Sequence, residues 1–279
     1  MRSPTFLIDR LQDRMSAWGS ALVALSGGVD SAVVLQLAAL TLPGRVQAAT
    51  SHAPSVAESE RVMAAQVAAA AGVRHHLLDP GEMGREDYLR NGTDRCFHCK
   101  DALYGALGPL AARLGLQVIA NGVHVEDLGD HRPGLVAADR HGILSPLRDE
   151  GLTKEEVRAV ARHLGLAVWN RPANACLASR LPHGTPVTLE RLDRVARAEA
   201  ALARLGLQGH RVRDHGELAR LEVPGDAFDW VLHRREALQD ALLDAGYRLA
   251  TLDLGGYKPA GSHVQNETSI AGPAGGGRA

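Results

Sequence analysis

The stretch that decides the fold is Ala21–Ser31, "ALVALSGGVDS". It joins a short apolar run to a turn with two glycines, and "AVVLQLAAL" then follows with the length and composition of a buried helix. The order is strand, glycine turn, helix. Glycines allow a tight turn at the end of the strand, and the free N–H groups of the next helix then face a bound anion. The stretch predicts an anion site in an α/β fold.

The same alternation continues through the first half of the chain. Three more strand-like runs alternate with two helical patterns; the runs are 45–50, 73–79 and 117–122, and the helical patterns are 55–71 and about 97–114. Parallel strands need crossovers, and right-handed helical crossovers cover both faces of the sheet. We therefore predict a doubly wound parallel-sheet α/β domain over residues 1–175.

The pattern changes in the second half. "LTKEEVRAVARHLGL" predicts one more helix, with Thr153 as N-cap and Glu156 at the capping-box position, and an irregular stretch with several prolines follows it. Next come a helix, two strands, a long helix and a strand, at 188–205, 210–215, 219–224, about 227–245 and 247–254. We predict a smaller α+β domain over residues 176–270 and a disordered tail over 271–279.

The composition limits the kinds of partner and the cellular compartment that we expect for this protein. The 279 residues include 31 basic and 32 acidic ones, which leaves a net charge of −1 and no basic surface for a long polyanion. This argues against a nucleic-acid partner and favours a small charged substrate. The sequence shows no signal peptide and no membrane-spanning run, so we expect a cytoplasmic protein with no membrane partner. In that reducing compartment, three cysteines indicate metal binding or catalysis rather than disulfides.

Two of the cysteines, Cys96 and Cys99, form a C-x-x-C pair in "RCFHCK", and Cys176 stands apart in "NACLASR". The residues alone leave four interpretations open: an iron–sulfur cluster, a zinc site completed by His98, a redox pair, or inert buried thiols. His98 is awkwardly placed to share an ion with its two neighbours, and the pair lacks the usual thioredoxin context. The guanidinium of Arg180 would lower the pKa of Cys176 and favour the thiolate.

The turn 26–31 lacks the Lys-Ser/Thr ending of a Walker A loop and the G-x-G-x-x-G of a dinucleotide-binding fold. With its strand and helix it resembles the PP-loop of the ATP pyrophosphatase family, and an ordinary glycine turn is the alternative. The resemblance implies that ATP adenylylates a substrate oxygen and that pyrophosphate leaves. It places the following residues around the β- and γ-phosphates, with the aspartate near Mg²⁺: Ser26, Gly27, Gly28, Asp30 and Ser31.

A second segment agrees with this resemblance. Residues 121–134, "NGVHVEDLGDHRPG", follow a predicted strand and so lie at the same sheet edge as the loop. The segment is similar to one found in PP-loop sulfur transferases. Asp127, Asp130 and Arg132 are then candidates for Mg²⁺ or phosphate contacts, because carboxylates suit Mg²⁺ and guanidinium suits phosphate. A solvated acidic loop is the alternative.

Five stretches together resemble the LarE family of PP-loop sulfur transferases: "SGGVDS", "RPGL", "CLASRLPHGT", "HRVRDHGELARLEVP" and "YRLATLDLGGYK". The resemblance runs through both predicted domains. It implies an enzyme that adenylylates each carboxylate of pyridinium-3,5-biscarboxylic acid mononucleotide and converts it to a thiocarboxylate, for the nickel-pincer nucleotide cofactor of lactate racemase. It also implies a homo-oligomer, a hexamer, that depends on a sulfide source.

The resemblance gives the cysteines two alternative roles. In one version of the family the cysteine matching Cys176 is sacrificed, because it forms a thioester and is left as dehydroalanine. Members with three cysteines bind a 4Fe-4S cluster, whose iron without a protein ligand holds the sulfide to be transferred. The pair Cys96 and Cys99 favours the second version, with Cys176 as third ligand. Cys176 and Asp30 are the residues that we expect to take part in catalysis.

The resemblance also assigns charged residues of the second domain. Contacts to the substrate or nucleotide are implied for Ser179, Arg180, Arg211, Arg213 and Lys258. Glu199, Glu222 and Asp229 match acidic residues of a divalent-metal or catalytic site, with solvated surface charge as the alternative. Two other functions stay open at this point. One is tRNA 2-thiolation, which also uses PP-loop enzymes with three cysteines and a cluster; the other is a non-enzymatic nucleotide- or metal-binding scaffold.

Overall fold

The computed structural model describes residues 2–128, 133–172 and 176–257. Its first sheet has four parallel strands in the order β3-β2-β1-β4: β1 Ala21–Ala24, β2 Val46–Ser51, β3 Arg74–Leu78 and β4 Val118–Ala120. β1 pairs with β2 on one side and with β4 on the other, so the strand order reverses at β1. Such sheets bind ligands beyond the carboxyl ends of the strands at this reversal. The predicted parallel α/β fold is confirmed.

Helices flank the first sheet. They are α1 Pro4–Ser16, α2 Val29–Thr41, α3 Glu58–Ala70, α4 Glu86–Leu89, α5 Arg95–Arg113, α6 Pro133–Arg140, α7 Pro146–Asp149 and α8 Lys154–His163. α1 was not among the predicted helices. Its signal was nevertheless present, because the N-cap Ser3 is followed by the buried residues Leu7, Leu11 and Met15 at helical spacing.

β1 is buried on both faces. Ala21 and Val23 belong to a core formed with α1, α2 and α8, whereas Leu22 belongs to a core formed with α5 and α6. Because side chains alternate along a strand, burial on both faces needs a continuous apolar run. This is why "ALVAL" shows no polar alternation. The result is a rigid strand that carries the glycine turn at its carboxyl end.

A second sheet with three strands lies in the C-terminal part. β5 Arg211–His215 pairs antiparallel with β6 Leu218–Glu222, which pairs parallel with β7 Leu249–Leu252. Helices α9 Leu189–Arg204, α10 Phe228–His233 and α11 Arg235–Asp244 accompany this sheet. A separate core with Leu202, Val212 and Leu242 holds them together. The predicted second, smaller α+β unit is therefore present.

The prediction of a single long helix at about 227–245 is wrong. The chain forms α10 and α11 instead, and they are separated at Arg234, whose backbone angles leave the helical region (φ −115°, ψ 16°). The Arg234 guanidinium lies over the ring of Trp230, 4.4 Å from its centroid. The residues on either side of the break keep a helical pattern, so periodicity alone did not reveal it.

A small core joins the two parts of the chain. Tyr88 from α4 packs with Leu177, Leu181, Val187 and other apolar residues that follow the predicted domain boundary. The boundary after residue 175 therefore stays a prediction, and the predicted tail 271–279 lies outside the described residues. Within the described ranges, no helix is long and apolar enough to cross a membrane.

The start of α8 is capped as the sequence predicts. The Thr153 hydroxyl accepts the N–H of Glu156, and the Glu156 carboxylate accepts the N–H of Thr153. The Arg2 guanidinium also donates to both carboxylate oxygens, at 2.9 and 2.6 Å. Hydrogen bonding from Arg2 is the main cause that lowers the pKa of Glu156 from 4.5 to about 2.

We expect this carboxylate to make stability depend on pH. A pKa lowered by folding means that the stabilisation is complete above pH 4.5 and is lost as the pH falls toward 2. The free energy of unfolding should therefore fall more steeply over this range for the native chain than for Glu156→Gln. Denaturant unfolding at a series of pH values measures it. The exposed neighbour Glu155, changed to Gln, is the control, and equal slopes for native chain and Glu156→Gln would contradict the assignment.

Candidate functional site

The glycine turn that follows β1 is held by its own serines. The Ser31 hydroxyl accepts the N–H of Ser26 at 3.2 Å, lies 3.1 Å from the Ser26 hydroxyl and donates to the carbonyl of Gly28 at 3.2 Å. Gly27 has φ +82°, and a Cβ there would lie 2.8 Å from the carbonyl oxygen of Glu60. Only glycine fits this position. The predicted loop residues thus form one compact turn at the N-terminus of α2.

Asp30, in the first turn of α2, has a partner that the sequence analysis did not identify. The Lys154 ammonium donates to both Asp30 carboxylate oxygens, at 2.7 and 2.6 Å. Lys154 is the first residue of α8, and its own N–H donates to Glu126. No local pattern connects residues 30 and 154, because the contact depends on how α2 and α8 pack. The ammonium offsets a negative charge that would otherwise repel a polyphosphate at this turn.

The end of β4 closely approaches the same turn. A Cβ on Gly122 would clash with the backbone nitrogen and Cα of Ser31. The Asn121 side chain fixes this approach, because its oxygen accepts from Val123 N–H (3.1 Å) and the Ser145 hydroxyl (2.9 Å), and its nitrogen contacts the Tyr104 hydroxyl (3.2 Å). The segment after β4 therefore lies at the same sheet edge as the turn.

Three predicted residues of this segment stay untested. Asp127 lies in the 3₁₀ helix Val125–Leu128, but its side chain is outside what the structure describes. Asp130 and Arg132 lie outside the described residues altogether. Their contacts to Mg²⁺ or phosphate remain predictions.

Arg171 ties the segment before Cys176 to the glycine turn. Its guanidinium donates to the Gly27 carbonyl at 3.2 Å and to both oxygens of Glu60, at 2.8 and 2.6 Å. Glu60 lies in α3, whose backbone also contacts Gly27. Arg171 was not among the predicted site residues, although it lies only five residues before Cys176. Its position next to the loop could be found only from the fold.

Cys176 caps a 3₁₀ helix, Leu177–Arg180, and its carbonyl is the centre of the turn. That carbonyl accepts the Ser179 N–H at 2.9 Å, the Ser179 hydroxyl at 2.8 Å and the Arg180 guanidinium at 3.4 Å. The Arg180 side chain is almost fully buried, and it also donates to both carboxylate oxygens of Glu199, at 2.8 and 3.1 Å. The turn with Cys176 is thus anchored to α9.

The predicted arginines and glutamates of the second domain lie together. Arg213 donates to the Ser179 carbonyl at 2.8 Å and to the fully buried Glu222 at 2.7 Å. The guanidinium of Arg211 lies over the Tyr257 ring. Burial, followed by the like charge of Arg180, lowers the pKa of Arg211. These contacts form an arginine cluster with Glu199 and Glu222 between the guanidinium groups.

Two predicted members of this site are not part of the cluster. Asp229 is exposed in α10, and its carboxylate makes no hydrogen bond or ion pair with the described residues; Lys258 lies outside them. The described part of the chain also contains no group of three His, Cys, Asp or Glu residues that could hold a metal ion. Glu199 and Glu222 are bonded to arginines instead. The divalent-metal role of Glu199, Glu222 and Asp229 stays a prediction.

The three thiols lie in one neighbourhood. Cys96 and Cys99 occupy the start of α5, and Cys99 and Cys176 both pack against the core around Tyr88. Burial raises the pKa of Cys99, and the charges of Glu82 and Cys176 raise it further. The Cys99 thiol donates to the buried Glu82 carboxylate at 3.6 Å.

Arg95 and His98 lie near the thiols, and their contacts are relevant to the four interpretations of the cysteines. Burial acts to lower the pKa of Arg95, but the charges of Cys176 and Cys96 outweigh it and raise that pKa. His98, the fourth ligand of the zinc alternative, contacts Asp94 at 3.1 Å instead. All three cysteines are free thiols.

Comparison with known proteins covers both parts of the chain. The asparagine synthase family profile matches residues 6–116. An uncharacterized protein of Synechocystis is 38% identical over 259 residues, which are 90% of this chain and 94% of that protein. The pyridinium-3,5-bisthiocarboxylic acid mononucleotide synthase of Lactiplantibacillus plantarum is 34% identical over 241 residues, 85% of this chain and 86% of the synthase.

Two other similarities cover less. The tRNA-specific 2-thiouridylase of Azorhizobium caulinodans is 30% identical over 190 residues, 54% of this chain and 48% of that enzyme. The solved structure of NMN synthetase from Francisella tularensis superposes with a TM-score of 0.51 at 18% identity, over 62% of this chain and 76% of the synthetase chain. The latter similarity supports the fold alone.

We expect Gly122→Ala to damage the site. The added methyl group would collide with the backbone of Ser31, which cannot move without displacing α2. Such overpacking costs about 1–3 kcal/mol of unfolding free energy. Denaturant unfolding measures the loss. The matched control is Gly108→Ala inside α5, where a Cβ meets nothing within 4 Å and alanine should be neutral or add up to about 1 kcal/mol. Equal stability of the two variants would refute the close approach.

Proposed function

Because this chain belongs to the LarE family, we propose that it is an ATP-dependent sulfur transferase that converts the carboxylates of pyridinium-3,5-biscarboxylic acid mononucleotide to thiocarboxylates. The membership follows from the L. plantarum synthase, which is 34% identical and is covered over 86% of its length. The similarity extends past the nucleotide-binding fold into the second sheet. The product would serve synthesis of the nickel-pincer nucleotide.

One observation carries this proposal: the contacts of the two arginines that flank Cys176 in the sequence. Arg171 binds the carbonyl of Gly27 in the glycine turn, and Arg180 binds Glu199 in the arginine cluster. Cys176 lies between them. A sulfur-bearing residue between a nucleotide site and a second anion site suits transfer of sulfur to an adenylylated, phosphate-bearing substrate.

The first step would take place at the glycine turn. Its backbone N–H groups and the N-terminus of α2 would bind the β- and γ-phosphates of ATP. Asp30 would hold Mg²⁺, because a carboxylate is a ligand that Mg²⁺ prefers. Lys154, which contacts Asp30, would add a positive charge for the phosphate oxygens at the same place. Attack of a substrate carboxylate on the α-phosphorus releases pyrophosphate and leaves an acyl adenylate.

The arginine cluster would bind the phosphate of the mononucleotide. Arg211 and Arg213 present planar guanidinium groups, which suit two-point contacts to phosphate. Glu222 is fully buried and orients Arg213, whereas Glu199 orients Arg180. These carboxylates fix the arginine side chains in advance, so that less conformational entropy is lost when the substrate binds.

The thiols would either hold a cluster that carries the sulfur or donate sulfur themselves, and three cysteine thiolates are donors of the kind that a 4Fe-4S cluster takes. Cys96, Cys99 and Cys176 interact electrostatically, and the buried guanidinium of Arg95 offsets the negative charge of thiolates. A cluster held by three thiolates would supply a sulfide for transfer and leave the protein intact, with an external sulfide source to renew it. In the alternative version, Cys176 itself would donate its sulfur and become dehydroalanine.

The tRNA alternative has weaker support. The tRNA thiolase relatives share about half of this chain, and the net charge of −1 provides no footprint for a long polyanion. We also propose a cytoplasmic location, which suits three free cysteines, and self-association into a homo-oligomer. Leu249 in the edge strand β7 and Leu254 just after this strand support the latter, because both side chains are exposed.

We expect Lys154→Met to weaken binding of Mg-ATP by about tenfold to a hundredfold. The loss of a charged hydrogen-bond donor costs about 1.5–3 kcal/mol, and the change also leaves Asp30 uncompensated. Calorimetric titration with a non-hydrolysable ATP analogue measures the affinity. Lys154→Arg keeps the charge and is the matched control. Unchanged affinity of Lys154→Met would remove this lysine from the nucleotide site.

A second experiment tests the source of the sulfur. Protein purified without oxygen should contain iron and acid-labile sulfide, and with ATP, the dicarboxylate substrate and sulfide it should form several thiocarboxylates per chain. Cys96→Ala and Cys99→Ala should lose iron and repeated turnover. Iron analysis and mass spectrometry of the nucleotide product provide the readouts.

The outcomes of that experiment separate the alternatives. Full repeated turnover by both variants without iron would exclude the cluster. Intact mass of the protein after turnover distinguishes the sacrificial route, because conversion of Cys176 to dehydroalanine removes one H₂S per chain. Tight, salt-dependent binding of tRNA would favour the tRNA function instead.

A further inference from the structure

Two buried polar residues that take no part in the chemical steps proposed above contact the two cysteine segments. Asn91 is fully buried, and Arg95 is 5% exposed. Asn91 has φ +54° and is the single non-glycine residue with positive φ in the part of the chain that the structure describes. Asparagine tolerates this left-handed conformation better than most residues, but it still costs free energy. A buried residue kept in such a conformation points to a role that the surrounding contacts require.

The Arg95 guanidinium contacts both cysteine segments. It donates to the carbonyl of Ala178 at 2.5 Å, to the Asn91 side-chain oxygen at 2.8 Å and to the sulfur of Cys96 at 3.8 Å. Ala178 lies in the 3₁₀ helix that Cys176 caps, and Arg95 begins the helix that carries Cys96 and Cys99. A single side chain therefore bridges the turn with Cys176 and the start of α5.

Asn91 completes the connection on the other side of the turn. Its side-chain nitrogen donates to the carbonyls of Pro182 and Thr185, at 2.8 and 2.9 Å, and its own carbonyl accepts the N–H of Gly184 at 2.9 Å. The stretch that follows Cys176 is thus held at three backbone atoms by one residue. The positive φ lets the carbonyl and the amide of Asn91 face the same stretch.

The hydrogen bonds of Arg95 fix its position. Within the described residues, its hydrogen-bond acceptors are two neutral oxygens and a sulfur, and it forms no ion pair with a carboxylate. A buried guanidinium is costly unless its donors are bonded, so these contacts hold it, and with it the Cys176 turn, in place.

We propose that Arg95 and Asn91 are positioning residues that hold the Cys176 turn against the start of α5, so that Cys176 meets Cys96 and Cys99 at one place. The purpose of this arrangement rests on the proposed sulfur transfer. Its geometry does not, because it follows from the hydrogen bonds of Arg95 and Asn91 themselves.

The test uses the full chain without iron, ATP or substrate, and dibromobimane as a reagent that joins two thiols. Peptide mapping by mass spectrometry gives the yield of Cys176–Cys99 and Cys176–Cys96 cross-links relative to the Cys96–Cys99 cross-link within α5. The native chain should form the Cys176 cross-links readily. Arg95→Leu should lower their relative yield by about tenfold or more, as expected for loss of a buried charged hydrogen bond. Arg95→Lys should restore part of it.

Asn91→Gly is a second, independent variant. Glycine accepts the positive φ, so the change removes the amide contacts without backbone strain, and the relative yield should again fall. Arg90→Leu is the matched control, because Arg90 lies in the same turn but, among the residues that the structure describes, pairs only with Asp87 at the surface. Circular dichroism confirms that each variant folds; if Arg95→Leu unfolds, Asn91→Gly decides.

The proposal would be overturned if both Asn91→Gly and folded Arg95→Leu gave the same relative yield of Cys176 cross-links as the native chain. Normal cross-links in a native chain that transfers no sulfur would instead contradict the proposed function and leave the positioning role intact. The two failures are therefore distinguishable.

Discussion

The ion pair of Arg180 with Glu199 is the contact on which the arrangement of the site depends. Arg180 is almost fully buried, and removing one partner of such a pair leaves an uncompensated charge that costs about 3–5 kcal/mol. Glu199 also accepts the N–H of Val212, so the same carboxylate connects α9, β5 and the Cys176 turn. With this pair intact, the position of Cys176 is set by the second domain as well as by the first. The turn that carries Cys176 is therefore held by both parts of the chain.

Three arginine guanidinium groups connect the segment around Cys176 to the rest of the protein. Arg171 joins the cysteine segment to α3 and the glycine turn, Arg180 joins it to α9, and Arg95 joins it to α5. Each makes several hydrogen bonds in a fixed plane, which a lysine could not. Backbone carbonyls are among their acceptors, so these arginines hold the chain itself. The described residues on both sides of Cys176 are thereby fixed to three different helices and to the glycine turn.

The fold could be predicted from the sequence wherever a local pattern determined it. The buried run before the glycine turn, the capping box at Thr153 and Glu156, and the alternation of strands and helices all follow from spacing and residue type. The site could be predicted only in part. Lys154, Asn91 and Arg95 were not identified, because their partners lie far away in sequence or are backbone atoms. The break at Arg234 was missed because helical periodicity continues on both sides.

Helix α5 carries Cys96 and Cys99 at its start. Two turns after Cys96 it carries Tyr104, which contacts Asn121 just after the carboxyl end of β4. At a rise of 1.5 Å per residue, the helix therefore sets a distance of about 12 Å along its axis between Cys96 and Tyr104. The number of residues between Cys99 and Tyr104 fixes this geometry. One residue inserted there would turn both cysteines by about 100° away from Cys176. The buried Ala102 and the ion-paired Asp101 lie in the same interval, so its length and these two side chains are constrained together.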